Sequence, residues 1–329
     1  MTPKLIISLD FEMFWGVADS RTIENYGRNI EGVWEAVPLI LNTFKRYEVS
    51  ATWATVGMLM CRNYSQWAGI QPDVLPTYIR TNSSTYRLSP IVRENPNLFF
   101  ARPLVERILE TKGQELGSHT YSHFFCAEPG VDEAAFAADC ACQKYIFSEF
   151  DLSPKTLVLP RNQIDERFMS VATANGIVGF RGNQNHWFYR NGHFVPFGYF
   201  GRSLRKIDGY VSISGDHISY LEAQDDYLRC SAINIPASMF LRPASNSSFL
   251  DNTHIKRIKA GMEIAAKTGG VFHLWWHPHN FGVNTERNIN NLERLLQFYS
   301  VLADEYGMKS MSMANAVEPI ALPEVEGDV

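Results

Sequence analysis

Short apolar runs alternate with longer amphipathic segments along most of this chain, and that alternation restricts the folds open to it. Residues 4–9, 51–56, 115–118, 156–159, 178–180, 231–235 and 271–276 read as buried strands. Helical spacing is predicted over 30–48, 102–112, 132–149, 165–175, 251–268 and 286–306, with a closing strand at 309–313. Strands that alternate with helices are parallel and joined by helical crossovers. The expectation is an α/β protein: a distorted, incomplete (β/α) barrel of about seven parallel strands. One domain over 1–317 suffices, with loop elaborations at 62–100 and 182–229 and a frayed acidic tail at 318–329. A helix is expected near 202–208, and Pro38 is expected to kink the helix at 30–48.

Parallel strands end on one rim, and barrel enzymes build their sites there. The polar clusters of this chain occupy that slot. Asp10 and Glu12 follow the first strand, His119 and His123 the third, Arg161 the fourth, and His277 and His279 the seventh. His119 and His123 are four positions apart and would share one face if that segment were helical. Glu12 would complete a His–His–carboxylate set with an open position, the arrangement of a hydrolytic zinc site. Asp10 would take a proton from the attacking water, and Arg161 would pair with Asp10 and keep it ionised. His277, which ends the strand directly, would protonate the leaving group, with His279 the alternative acid. Together these predict metal-assisted hydrolysis of an amide or ester. His273 reads as a satisfied core histidine. Of Trp275 and Trp276, one is expected in the core and the other at the site.

Composition narrows the function classes. A net charge of −5, with no long block of one sign, argues against nucleic-acid binding. No apolar stretch approaches the roughly 20 residues of a membrane helix. The apolar run at 5–9 is too short for a signal-peptide core. The cysteines (61, 126, 140, 142 and 230) form no CxxC pair and read as reduced thiols. A cytoplasmic protein acting on a small molecule is expected.

The motifs resemble those of the polysaccharide deacetylases, the NodB-homology or carbohydrate esterase family 4 enzymes. Ser8-Leu9-Asp10-Phe11-Glu12 is similar to the family's motif of base and metal-binding carboxylate, in an Asp-x-Glu form. Ala51-Thr52-Trp53 resembles its second strand. Gly117-Ser118-His119-Thr120-Tyr121-Ser122-His123 is similar to its His-x-x-x-His metal motif. Pro160-Arg161-Asn162 resembles the motif whose Arg positions the base. The run from Val271 to Pro278 resembles the strand that delivers the acid His. The resemblance covers about residues 4–280. It implies a NodB-type barrel, a divalent metal, most simply Zn2+, and removal of an acetyl or formyl group from an amino sugar. It further implies a nucleotide- or lipid-linked precursor of surface polysaccharide, O-antigen or lipopolysaccharide. Asn162, Asn183, Trp276 and His279 are the expected substrate contacts. The alternatives are an allantoinase-like hydrolase of a small cyclic amide and a non-catalytic sugar-binding relative.

Overall fold

The structure, a computed structural model, describes residues 1–189, 198–221 and 231–321. Among the described residues, nine strands form one sheet: β1 (Lys4–Phe11), β2 (Ala51–Thr55), β3 (Gln114–Ser118), β4 (Thr156–Leu157), β5 (Gly179–Phe180), β6 (Ile233–Asn234), β7 (Met239–Phe240), β8 (Val271–Trp276) and β9 (Lys309–Met311). Their order is β6-β5-β4-β3-β2-β1-β8-β7, with β9 beside the first half of β1, and every ladder is parallel. This is the expected α/β architecture, a curled sheet forming a distorted, incomplete barrel.

The two ends of that order are consecutive in sequence. Ile235 and Ala237 donate backbone bonds to Phe180 and Gly182 on one edge. Ser238 and Leu241 then donate to His273 and Trp275 on the other. One extended stretch, residues 233–241, thus stitches the two edges of the curled sheet. The sequence pattern showed its first half as a strand and missed β7. A ladder of two residues is too short to show an alternation.

Side chains alternate across β1 with period two. Leu5, Ile7, Leu9 and Phe11 face the helices and join the main hydrophobic core, which also takes in Trp53, Phe272, Leu274 and Trp276. Ile6 faces the barrel interior with Ala54, Val158, Ile235, Met313 and Val317. Ser8 and Asp10 share the phase of Ile6, so the same strand that builds the core carries polar groups inward at its C-terminal end.

Helices Ile23–Glu31 and Val33–Arg46 replace the single predicted helix at 30–48. The break falls at Gly32, and Pro38 lies within the second helix. A Cβ on Gly32 would stand 1.9 Å from the Gly282 carbonyl oxygen, so close backbone contact sets the break. The helix expected near 202–208 spans Gly198–Asp208. Short helices Tyr64–Gly69 and Ser89–Glu94 occupy the 62–100 elaboration. Residues 318–321 belong to a last helix, Met313–Ala321, rather than to a frayed tail; 322–329 lie outside the described residues. That helix closes the barrel away from the strands' C-terminal rim. Met313 and Ala314 donate backbone bonds to Thr52 Oγ1 and Glu115 Oε2, near the starts of β2 and β3. Among the described residues no helix is long and apolar enough to cross a membrane.

Candidate metal centre and pocket

Asp10 lies near the end of β1 and Glu12 directly after it, and both are buried. His119 follows β3, and the chain then bends instead of entering a helix. Thr120 and His123 take positive φ values of 62° and 56°. The two imidazoles converge through this bend, not through helical spacing. The bend is held from outside by Asp139, a buried residue of helix Glu133–Ser148. Its carboxylate accepts the amides of Tyr121 (2.7 Å) and Ser122 (3.0 Å) and the Ser122 hydroxyl. Burial pushes the Asp139 carboxyl up to about 6, while the Ser122 hydroxyl and the two amides act in the opposite direction. Gly16 gives Glu12 its space, since a Cβ there would lie 1.9 Å from Glu12 Cδ.

Glu12, His119 and His123 bring their ligand atoms within 4.8 Å of one another, all three buried. Glu12 Oε2 is 3.4 Å from His119 Nε2 and 3.1 Å from His123 Nε2. His119 Nδ1 donates to the Val158 carbonyl at 2.8 Å. With its proton there, its Nε2 turns a lone pair toward the Glu12 carboxylate. Burial is the largest influence on His123 and lowers its pKa, which favours the neutral, ligating form. Lone pairs of two imidazoles and a carboxylate oxygen thus meet at one point, a donor set that suits a divalent cation. The group can hold a metal.

The partner of Asp10 is Arg181, not Arg161. Arg181 Nη1 and Nη2 reach Asp10 Oδ1 and Oδ2 at 2.6 and 2.8 Å, a two-point clamp inside the barrel. Burial works to raise the Asp10 carboxyl; the Arg181 charge, with help from His119 and His277, outweighs it and holds Asp10 below the usual carboxylate value. A directed chain of hydrogen bonds fixes Arg181 in turn. His273 Nδ1 donates to the Ile235 carbonyl (3.1 Å), so its Nε2 accepts the Ser8 hydroxyl (2.8 Å). Ser8 Oγ then accepts Arg181 Nη1 at 3.0 Å. His273 is the satisfied core histidine expected, with burial the main cause of its fall to about 3. Asn162 Oδ1 accepts Arg181 Nη2 at 2.9 Å. Arg161 pairs with Asp19 and lies over the Phe125 ring, 4.3 Å from its centroid, while still lining the pocket. The signal for Arg181 was its place directly after β5, the same rim slot used to select the other residues.

His277 Nε2 stands 3.6 Å from Asp10 Oδ2 and 3.7 Å from Glu12 Oε1, with 24% of its side chain exposed. His279 stacks on it at 4.9 Å but is buried, and burial is the main cause of its fall to about 3. Trp276 does not contact the pocket: it stacks on Phe281 in the core. Trp275 lines the pocket instead, beneath the Arg181 guanidinium at 4.2 Å. The reason is strand phase, because residues 273, 275 and 277 point one way along β8 and Trp276 points the other. Asn162, Asn183, His277 and His279 all line the same cavity of about 820 Å³ as Asp10, Glu12, His119 and His123.

No family model matches the sequence, and no curated protein matches it. Solved structures do. A candidate polysaccharide deacetylase from Mycobacterium smegmatis superposes with a TM-score of 0.59 at 12% identity, covering 97% of this chain and 90% of that one. A GH57 branching enzyme from Thermococcus kodakaraensis gives a TM-score of 0.56 at 11% identity, over 100% of this chain and 72% of that one. The alpha-amylase AmyC from Thermotoga maritima gives 0.54 at 11%, over 97% and 75%. At such identities the likeness is one of fold.

Proposed function

We propose that the protein is a metal-dependent hydrolase that removes an N-acyl group, acetyl or formyl, from an amino sugar. One observation carries this reading: the buried Glu12–His119–His123 group shares a pocket with an arginine-clamped carboxylate and an accessible histidine. A divalent ion held by Glu12, His119 and His123, with zinc the proposed metal, would supply Lewis acidity to the acyl carbonyl and to the attacking water. Asp10 is the base and receives that water's proton on a carboxylate oxygen. Arg181 holds Asp10 ionised and in place through both oxygens. His277 delivers a proton from Nε2 to the departing nitrogen. His279, kept neutral by burial, walls the site beneath His277. Asn162 acts through Arg181, and Asn183 is left as a substrate contact. The substrate setting we propose is a nucleotide- or lipid-linked precursor of surface polysaccharide.

The fold likeness to GH57 enzymes supports a second reading, chemistry at a glycosidic bond. That chemistry uses one carboxyl group as acid and another as nucleophile or base. Here Asp10 is clamped by Arg181 and Glu12 faces two imidazoles, which disfavours either as the acid. Paired N-acetyl and N-formyl amino sugars, each supplied as a glycoside, discriminate the readings. Release of acetate or formate that stops on chelation and returns with zinc or cobalt is the expected result. New reducing ends without acid release would favour the glycosidic reading. A pure protein that binds no transition metal and ignores added zinc would sink the proposal.

A further inference from the structure

Among the described residues two tyrosines line the pocket, Tyr26 and Tyr189. The Tyr189 hydroxyl is spent on Asp208 Oδ2, to which it donates at 2.9 Å. Tyr26 is half-buried and makes its side-chain contacts through the ring. That ring meets His279 edge-on, with centroids 5.5 Å apart at 79°, and the Arg21 guanidinium lies 5.3 Å from its centroid. The Tyr26 hydroxyl has no hydrogen-bond partner among the described residues. A phenol in a pocket wall that meets no protein acceptor keeps its donor for what enters the cavity.

The placement of this side chain is built into the fold. Helix Ile23–Glu31 is pressed against the turn that carries His279. A Cβ on Gly282 would stand 2.0 Å from the Asn29 carbonyl oxygen, and Asn29 Nδ2 donates to the His279 carbonyl at 3.5 Å. With the Gly32–Gly282 contact, these hold Tyr26 beside His279, whose Nδ1 is 3.8 Å from Glu12 Oε1. The Glu12 charge reaches the phenol: burial and then that carboxylate push Tyr26 up to about 12, so it keeps its proton. Glu12 turns Oε2 toward His119 and His123 and Oε1 toward His277 and His279. Tyr26 packs on the second side, with the proton donor.

We propose that Tyr26 is a further catalytic residue, whose hydroxyl donates a hydrogen bond to the acyl oxygen as that oxygen becomes an oxyanion. This rests on the deacylase reading above. In that reaction Asp10 serves the water and His277 the departing nitrogen, and the acyl oxygen is the one reacting atom left without a donor from this chain. As water adds to the acyl carbon, the carbonyl electron pair moves onto oxygen and the Tyr26 hydrogen bond strengthens. When the carbon–nitrogen bond breaks, the pair returns to the carbonyl. The hydroxyl keeps its proton throughout, so its contribution is electrostatic.

Tyr26→Phe removes the hydroxyl and keeps the ring against His279. In the metal-loaded, full-length protein kcat for an N-acetyl amino sugar is expected to fall about 10²-fold, as for loss of other oxyanion donors, with KM little changed. Metal content and circular dichroism are expected to match the wild type. Methylphosphonate, a tetrahedral anion with the shape of a hydrated acetyl group, supplies a readout without turnover. By calorimetry the variant is expected to bind it at least about tenfold more weakly, as for loss of a hydrogen bond to a charged oxygen. A kcat close to wild type, a loss carried by KM alone, equal phosphonate affinity, or no phosphonate binding by the wild type overturns the inference. Wild-type acid release alongside any of these leaves the deacylase reading standing. No acid release from the wild type removes that reading, and weaker phosphonate binding by the folded variant then still assigns the Tyr26 hydroxyl to a tetrahedral oxyanion.

Discussion

Asp10 and Arg181 together decide whether the site has a base. The folded pKa of Asp10 lies below its ordinary value of 3.8. Its ion pair thus adds stability that is present above about pH 4 and is lost as pH falls through the lower folded value. In Arg181→Met a buried carboxylate loses its partner, at a cost of about 3–5 kcal/mol. Burial is then opposed only by His119 and His277, so the acid limb of kcat/KM is expected to move to higher pH, with Arg181→Lys falling between. An acid limb unmoved in a folded Arg181→Lys or Arg181→Met protein would falsify the assignment of Asp10 as base. Asp10→Asn is expected to lower kcat by about 10²–10⁴ while retaining metal, read by elemental analysis. Gly16→Ala carries a different expectation. Its methyl group takes the space of the Glu12 carboxylate. Metal affinity is expected to drop with little change in helix content, and unchanged affinity would show that Glu12 moves aside without leaving the ligand set.

At the scale of elements, helix Glu133–Ser148 serves the metal loop through Asp139. Asp139→Ala strips the Tyr121 and Ser122 amides of their acceptor, and each buried orphan costs about 1–3 kcal/mol. Because the bend between the histidines depends on those bonds, metal affinity is expected to weaken by about 10–100-fold, as for other outer-shell losses. Chelator competition measures it; lowered stability with wild-type metal affinity would reduce Asp139 to a structural role. The sequence held a signal for this residue. Asp139 falls at helical spacing from Phe136, Gln143 and Ile146, all of which are buried. The same kind of phase argument separates Trp275 from Trp276. The stitch at residues 233–241 was less legible, because its pairing with two edges is set by backbone geometry with no side-chain pattern.

For the whole molecule, a bound ion would tie the end of β1 to the bend after β3. A ligand held only by the native state stabilises by about 2.7 kcal/mol at a hundredfold excess over its Kd. Chelation is therefore expected to lower Tm by several degrees, and His123→Ala should abolish that difference. An unchanged Tm in the wild-type protein would count against a native metal centre. The sequence by itself determined the strand–helix alternation, the parallel sheet and the rim on which Asp10, Glu12, His119, His123 and His277 meet. Those follow from local periodicity and from the common direction of parallel strands. It did not determine which arginine reaches Asp10, which tryptophan meets the pocket or how the two histidines converge. Arg161 and Arg181 both follow strands, and only the closed curl of the sheet decides that Arg181 points inward while Arg161 turns to Asp19. Likewise the His119–His123 bend exists because a helix elsewhere in the chain supplies Asp139 to hold it.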